Sequence, residues 1–136
     1  MEHHLLQYSE LTTLMLPKDE YLNDEENREL YGLCNNPNGH GHNYKVEVIV
    51  KGEVDPVTGM VMNISDLKKY IKKHVLDEMD HKHLDLDVAH FKNTPSTAEN
   101  IAIFIWDQLK NCLPEGLLYE VKVHETDKNV AFYRGE

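Results

Sequence analysis

Cysteine is scarce in this chain, with only Cys34 and Cys112 among 136 residues. Two thiols do not make a disulfide framework; in a cytosolic chain they are more often buried, catalytic or metal-bound. Long apolar runs are missing too, and none approaches the roughly 20 residues that a bilayer crossing needs. The opening MEHHLLQYSELTTLMLP carries acids and lacks a basic leading region, so no signal peptide is expected and a cytoplasmic location is. Basic residues are outnumbered, 14 against 24 acidic, giving a net charge of −10. Neither Lys nor Arg forms a dense block, so neither a nucleic acid nor a membrane is expected as partner. No repeat, low-complexity tract or linker breaks the chain. With 40% hydrophobic residues, it suits one globular domain over 1–136.

Histidine is plentiful by contrast, with nine in the chain. The acidic stretch 19–28, DEYLNDEENR, reads as a solvated loop or short helix. Over 42–50, Tyr44, Val46, Val48 and Val50 alternate with polar neighbours, the period of a half-buried strand. Asp55-Pro56-Val57-Thr58-Gly59 reads as a turn. Met60, Met62 and Ile64 then suggest a partner strand in an antiparallel hairpin. Ser65 is placed to cap a helix over 65–79, with Leu67, Tyr70, Ile71 and Val75 on one face. Ser96-Thr97-Ala98-Glu99 has the capping-box pattern ahead of Ile101, Ile105 and Leu109, and that helix should stop near Cys112. Strands over 117–125 and 129–133 flank a turn at 126–128. The order predicts an α+β fold, an antiparallel four-stranded sheet with two helices on one face.

The chemistry concentrates in CNNPNGHGHNY, residues 34–44. On a strand, His40 and His42 share a face, about 7 Å apart, and can converge on one ion. Gly39 and Gly41 keep the approach free of side chains. Imidazole suits zinc, whose catalytic sites keep three protein ligands and an open position. A bare H-x-H is also compatible with a polar strand entry. Cys34, in a polar loop, is either a buried thiol or one that a nearby cation activates. Asp80-His81 offers a carboxylate and an imidazole, although His81 and His83 can equally be loop residues. Glu125 is a turn acid, or a carboxylate for a ligand edge with two parallel N–H donors.

These segments, with DEENRELYGLCNNPNGHGHNYKVEV, GEVDPVTGMVMN, DHKHLDLDV, STAENIAIFIW, LLYEVKVHETDKN and YRGE, resemble the 6-pyruvoyl-tetrahydropterin synthase family from about Leu22 to the C-terminus. The six-residue step from Cys34 to His40 favours the eukaryotic pyruvoyl branch over the bacterial 6-carboxytetrahydropterin synthases. The resemblance implies the tunnelling fold, with trimers closing a barrel and two trimers stacking as a homohexamer. It implies conversion of 7,8-dihydroneopterin triphosphate to 6-pyruvoyltetrahydropterin with loss of triphosphate, on the route to tetrahydrobiopterin. By the same resemblance Cys34 is the general base, and Asp80 with His81 tunes or relays its proton. Glu125 anchors the pterin, His40 and His42 bind zinc, and magnesium accompanies the triphosphate. Independently of the resemblance, Thr97 stands at a helix start whose free N–H groups can face substrate. Residues 1–18 depart from the pattern: the family's third zinc histidine, counted back from Cys34, falls on Met15, and His3 and His4 lie about eleven residues too early. The departure leaves a second reading, a non-catalytic pterin-binding or hexamer-regulating paralogue.

Overall fold

Alternation of apolar and polar side chains builds the central strand of the sheet. In the computed structural model, which describes residues 2–15 and 40–136, that strand is β2, His40–Glu53. Tyr44, Val46, Val48 and Val50 along it are buried against the helices. The period of two read from the sequence is therefore the core-facing period of β2. Strand β1, Glu2–Met15, pairs antiparallel with β2 throughout, from Glu2 opposite Glu53 to Met15 opposite His40.

The other edge of β2 belongs to β4, Leu118–His124, which in turn pairs with β5, Val130–Tyr133. A two-residue β3, Lys82–His83, runs parallel to β1 through Thr13–Lys82 and Leu14–His83. The order is β3-β1-β2-β4-β5. The α+β class is as expected, but among the described residues the sheet has five strands where four were expected. Its membership also differs from the expectation. Met60 and Met62 lie in the connection after the turn, and Ile64 opens a helix, so no hairpin strand forms there.

The cause is local geometry at Asp55. Its Oδ1 accepts the N–H groups of Val57 and Thr58, at 2.7 and 3.1 Å, and its carbonyl accepts that of Gly59 at 2.7 Å. Gly59 has φ of 72°, a left-handed value open to glycine. This tight turn leads the chain off the sheet, and β1 takes the free edge of β2 instead.

Helix α1, Ile64–Ile71, is capped by Asn63, whose Oδ1 accepts the Ser65 N–H at 2.8 Å. The expected cap at Ser65 is thus displaced by two residues, because Asn63 has the extended backbone that a cap requires. A π-helical turn, Lys72–Leu76, and the short α2, Asp77–Met79, continue the same path. After α3, Leu84–Asp87, and a 3₁₀ turn, Ala89–Lys92, comes the long helix α4, Ala98–Lys110. Thr97 caps it through Oγ1, which accepts the Asn100 N–H at 3.2 Å. Ile101, Ile105 and Leu109 are fully buried against the sheet, along with Leu67, Ile71 and Val75 from the preceding helical stretch. Each such aliphatic side chain contributes roughly 1.5–3 kcal/mol by leaving water.

Candidate functional site

Strand direction gathers the candidate residues at one end of the sheet. His40 and His42 begin β2, and β1 ends beside them at Met15. Next to that end of β1 lies β3, which follows immediately on Asp80 and His81. At the opposite side of β2, β4 finishes at His124 paired with Lys45, and Glu125 comes directly after it. The short link 111–117 makes α4 run antiparallel to β4, which brings Thr97, at the start of α4, toward the same end. Cys34 and the acidic stretch 19–28 lie outside the described residues.

Asp80 and His81 are the best-defined pair. His81 has φ of 59°, and its Nδ1 lies 3.1 Å from Asp80 Oδ2. Adjacency alone would not have guaranteed that contact. Asp80 also lines a cavity of about 530 Å³ together with Lys68, Lys72, Leu76 and Asp77. Lys72 is bound to Asp77 at 2.8 Å, and Lys82 donates to the Asp77 carbonyl at 2.8 Å. Lys68 and Lys72 belong to the basic run LKKYIKK, residues 67–73, a signal the sequence reading did not single out.

Glu125 is half-buried and its N–H donates to the Asn129 carbonyl at 3.0 Å, which closes the β4–β5 turn. The Thr97 hydroxyl is engaged as the α4 cap. On the sheet face away from the helices, Glu47 is buried and lies 3.3 Å from His124 Nε2, an atom without a hydrogen bond of good geometry among the described residues. Glu120, also buried, is held by Arg134. Cys112 is half-buried just after α4, its Sγ 3.4 Å from the Leu109 carbonyl, and burial raises its thiol pKa.

The donor set at the metal end can be tested by register. Residues directly opposite in an antiparallel pair lie on the same face. The row of His40 holds Met15, and the row of His42 holds Thr13 and, through β3, Lys82. Pairing with β4 begins only at Lys45, so that strand adds no row here. A thioether, a hydroxyl and an ammonium do not complete a zinc site of three imidazoles. The rows of this strand pair bring no third histidine beside His40 and His42. Among the described residues no three His, Cys, Asp or Glu side chains converge as a metal-binding group.

An α+β domain whose polar residues collect at one sheet end defines the architecture, and comparison with known proteins defines the family. The sequence model described as 6-pyruvoyl tetrahydropterin synthase matches residues 2–136. The chain belongs to the 6-pyruvoyl tetrahydropterin synthase family. It is 59% identical over 117 residues to the human 6-pyruvoyl tetrahydrobiopterin synthase, covering 86% of this chain and 81% of that one. It is 56% identical over 116 residues to the Drosophila melanogaster protein of the same name, covering 84% and 68%. The solved 6-pyruvoyl tetrahydropterin synthase of Caenorhabditis elegans superposes with a TM-score of 0.93 at 42% identity, over 100% of this chain and 97% of that one.

Proposed function

We infer that this chain is a lyase of tetrahydrobiopterin biosynthesis. It converts 7,8-dihydroneopterin triphosphate to 6-pyruvoyltetrahydropterin and releases triphosphate. The observation that carries this reading is the 59% identity, across most of both chains, to a human protein named as that synthase. The non-catalytic alternative is not favoured, because relatives at 56–60% identity carry the enzyme's name.

In this reading a base takes a proton from the substrate side chain, and the C–O bond to triphosphate breaks with its electron pair. Enol–keto shifts then move hydrogen toward the ring, so no external oxidant is needed. Cys34 is the proposed base, with Asp80 and His81 holding or passing its proton. Support comes from the 3.1 Å contact within that pair and from its place beside β1. Glu125 is the proposed anchor for the amino-pyrimidine edge, which offers the parallel donors a carboxylate prefers. Thr97 is proposed to border the substrate from the start of α4.

His40 and His42 are the residues assigned to zinc, and magnesium is assigned to the triphosphate; the proton steps above rely on neither ion. The tunnelling fold, the homohexamer and the cytoplasmic location belong to the same proposal. It fits a sheet that is antiparallel from β1 through β2 and β4 to β5, and whose last strand, β5, leaves one edge without a strand partner among the described residues. No helix of the described residues is long and apolar enough to cross a membrane.

The test is incubation of the purified chain with dihydroneopterin triphosphate, following triphosphate and pterin together. Equal release of both is expected, and loss of both in Cys34→Ala. Turnover unchanged in Cys34→Ala would overturn the assignment of the base.

A further inference from the structure

We propose that Glu47 is a positioning residue for the substrate: through His124 it holds the end of β4 from which Glu125 reaches the pterin. The proposal rests on the function inferred above, with Glu125 as the anchor. Val46, Val48 and Val50 turn to the helices, so Glu47 stands on the opposite face of β2. An acid on that face is commonly left in water, yet only 7% of Glu47 is exposed. A carboxylate so enclosed needs a partner, because burial without one is strongly unfavourable. Among the described residues the group beside it is His124, with Nε2 3.3 Å from Glu47 Oε1. That nitrogen is enclosed and has no hydrogen-bond partner among them, so the carboxylate is what tethers the imidazole.

The register shows what the contact spans. Directly opposite Glu47 on β4 is Lys122, whose Nζ lies 3.5 Å from Glu120 Oε1. His124 stands two rows nearer the sheet end, opposite Lys45 on one side and Val130 on the other. Both ladders of β4 stop at that row. The contact is therefore a diagonal that ties the last row of the ladder to an inner one. A terminal row opens first, since no further pairs lie beyond it. Glu125 follows directly, and the turn after it is closed from within. Its N–H donates to the Asn129 carbonyl, and Thr126 Oγ1 accepts the N–H groups of Lys128 and Asn129 at 3.2 and 3.1 Å. Those bonds shape the turn; the diagonal fixes how the turn sits on the sheet.

The experiment compares the full chain with Glu47→Leu, Glu47→Gln, His124→Phe and the double variant Glu47→Leu/His124→Phe. It reads triphosphate release from dihydroneopterin triphosphate and equilibrium binding of neopterin, a pterin without phosphates, by fluorescence. Glu47→Leu is expected to raise KM and the neopterin Kd together about tenfold, within the coupling of contacting side chains. Its kcat should stay within about twofold, the mark of lost binding and not of lost chemistry. Glu47→Gln should restore most of the affinity, because its amide oxygen still accepts from Nε2–H. His124→Phe should match Glu47→Leu, and the double variant should be no worse than either. Amide exchange over 118–130 should quicken in Glu47→Leu. Unchanged KM and Kd in Glu47→Leu, in a chain that turns over and binds neopterin, would overturn the positioning role and leave the proposed function standing. Lower stability with intact affinity would do the same, by reducing the pair to a structural contact. Effects that multiply in the double variant would overturn it too, by making the two side chains act separately. An unaltered chain that neither releases triphosphate nor binds neopterin would overturn the proposed function, and this assignment with it. Circular dichroism checks the folding of each variant; if Glu47→Leu does not fold, His124→Phe carries the same comparison.

Discussion

Nδ1 of His81 stands 3.1 Å from Oδ2 of Asp80, a contact between chain neighbours joined through a left-handed backbone at His81. Most residues pay about 1–2 kcal/mol to adopt that backbone, so a non-glycine there has to be held by its surroundings. Replacing Asp80 with Ala should lower kcat by roughly 10²- to 10⁴-fold, the usual contribution of a positioned proton-transfer group. Triphosphate release measures it, with far-ultraviolet circular dichroism as the check on folding. An Asp80→Ala enzyme with unaltered kcat would remove this pair from the proposed chemistry.

The two thiols should differ in reactivity. Burial is the largest influence on Cys112 and pushes its thiol above the ordinary range, so little thiolate forms near neutral pH. Iodoacetamide at neutral pH should therefore label Cys34 at least roughly tenfold faster than Cys112, since the thiolate is the reacting form. Peptide mapping by mass spectrometry reads the order directly. Faster modification of Cys112 would contradict the activated role proposed for Cys34.

Thr97→Ala removes the hydroxyl that accepts the Asn100 N–H. The loss of such a cap should cost about 1 kcal/mol, seen as a lower urea midpoint with an unchanged slope. Thr97→Ser should recover most of it. If Thr97 also borders substrate, Thr97→Ala will raise KM beyond what Thr97→Ser does.

Asp55 gives a pH dependence with a definite sign. The N–H groups of Thr58 and then Val57 hold its carboxyl below the usual carboxylate range. A depressed folded pKa contributes stability above the unfolded value of about 3.9, and that contribution disappears as pH falls through the folded value. Asp55→Asn should therefore flatten the fall of Tm with pH below about pH 4. Identical acid profiles for the two proteins would show that the turn carboxylate contributes no linkage.

Sequence was most informative where the signal is local. The cap at Thr97 and the spacing of Ile101, Ile105 and Leu109 locate α4, because a helix closes its own hydrogen bonds within the segment. The alternation from Tyr44 to Val50 likewise locates β2. The partner of β2 was not legible, since pairing is a long-range choice. Met60, Met62 and Ile64 have the right period, but the Asp55 turn diverts them, and β1 wins with pairing along its entire length. At the site, the HGH pair and Asp80-His81 are readable as residue types. Their convergence depends on a two-residue β3 docking on β1, which no local pattern announces.

The π-helical turn at Lys72–Leu76 fits one more residue into the path from α1 to Asp80 than regular coiling would use there. The Asp77 N–H accordingly reaches back to the Lys72 carbonyl. In a regular helix each residue advances the azimuth by about 100°. The turn thus works as a phase adjuster: it sets the angle at which the chain leaves the helix and meets β1. Deleting one residue from this turn would regularise the coil with both helical ends kept in place. Chain length in this turn, as much as the identity of Asp80 and His81, governs where that pair arrives.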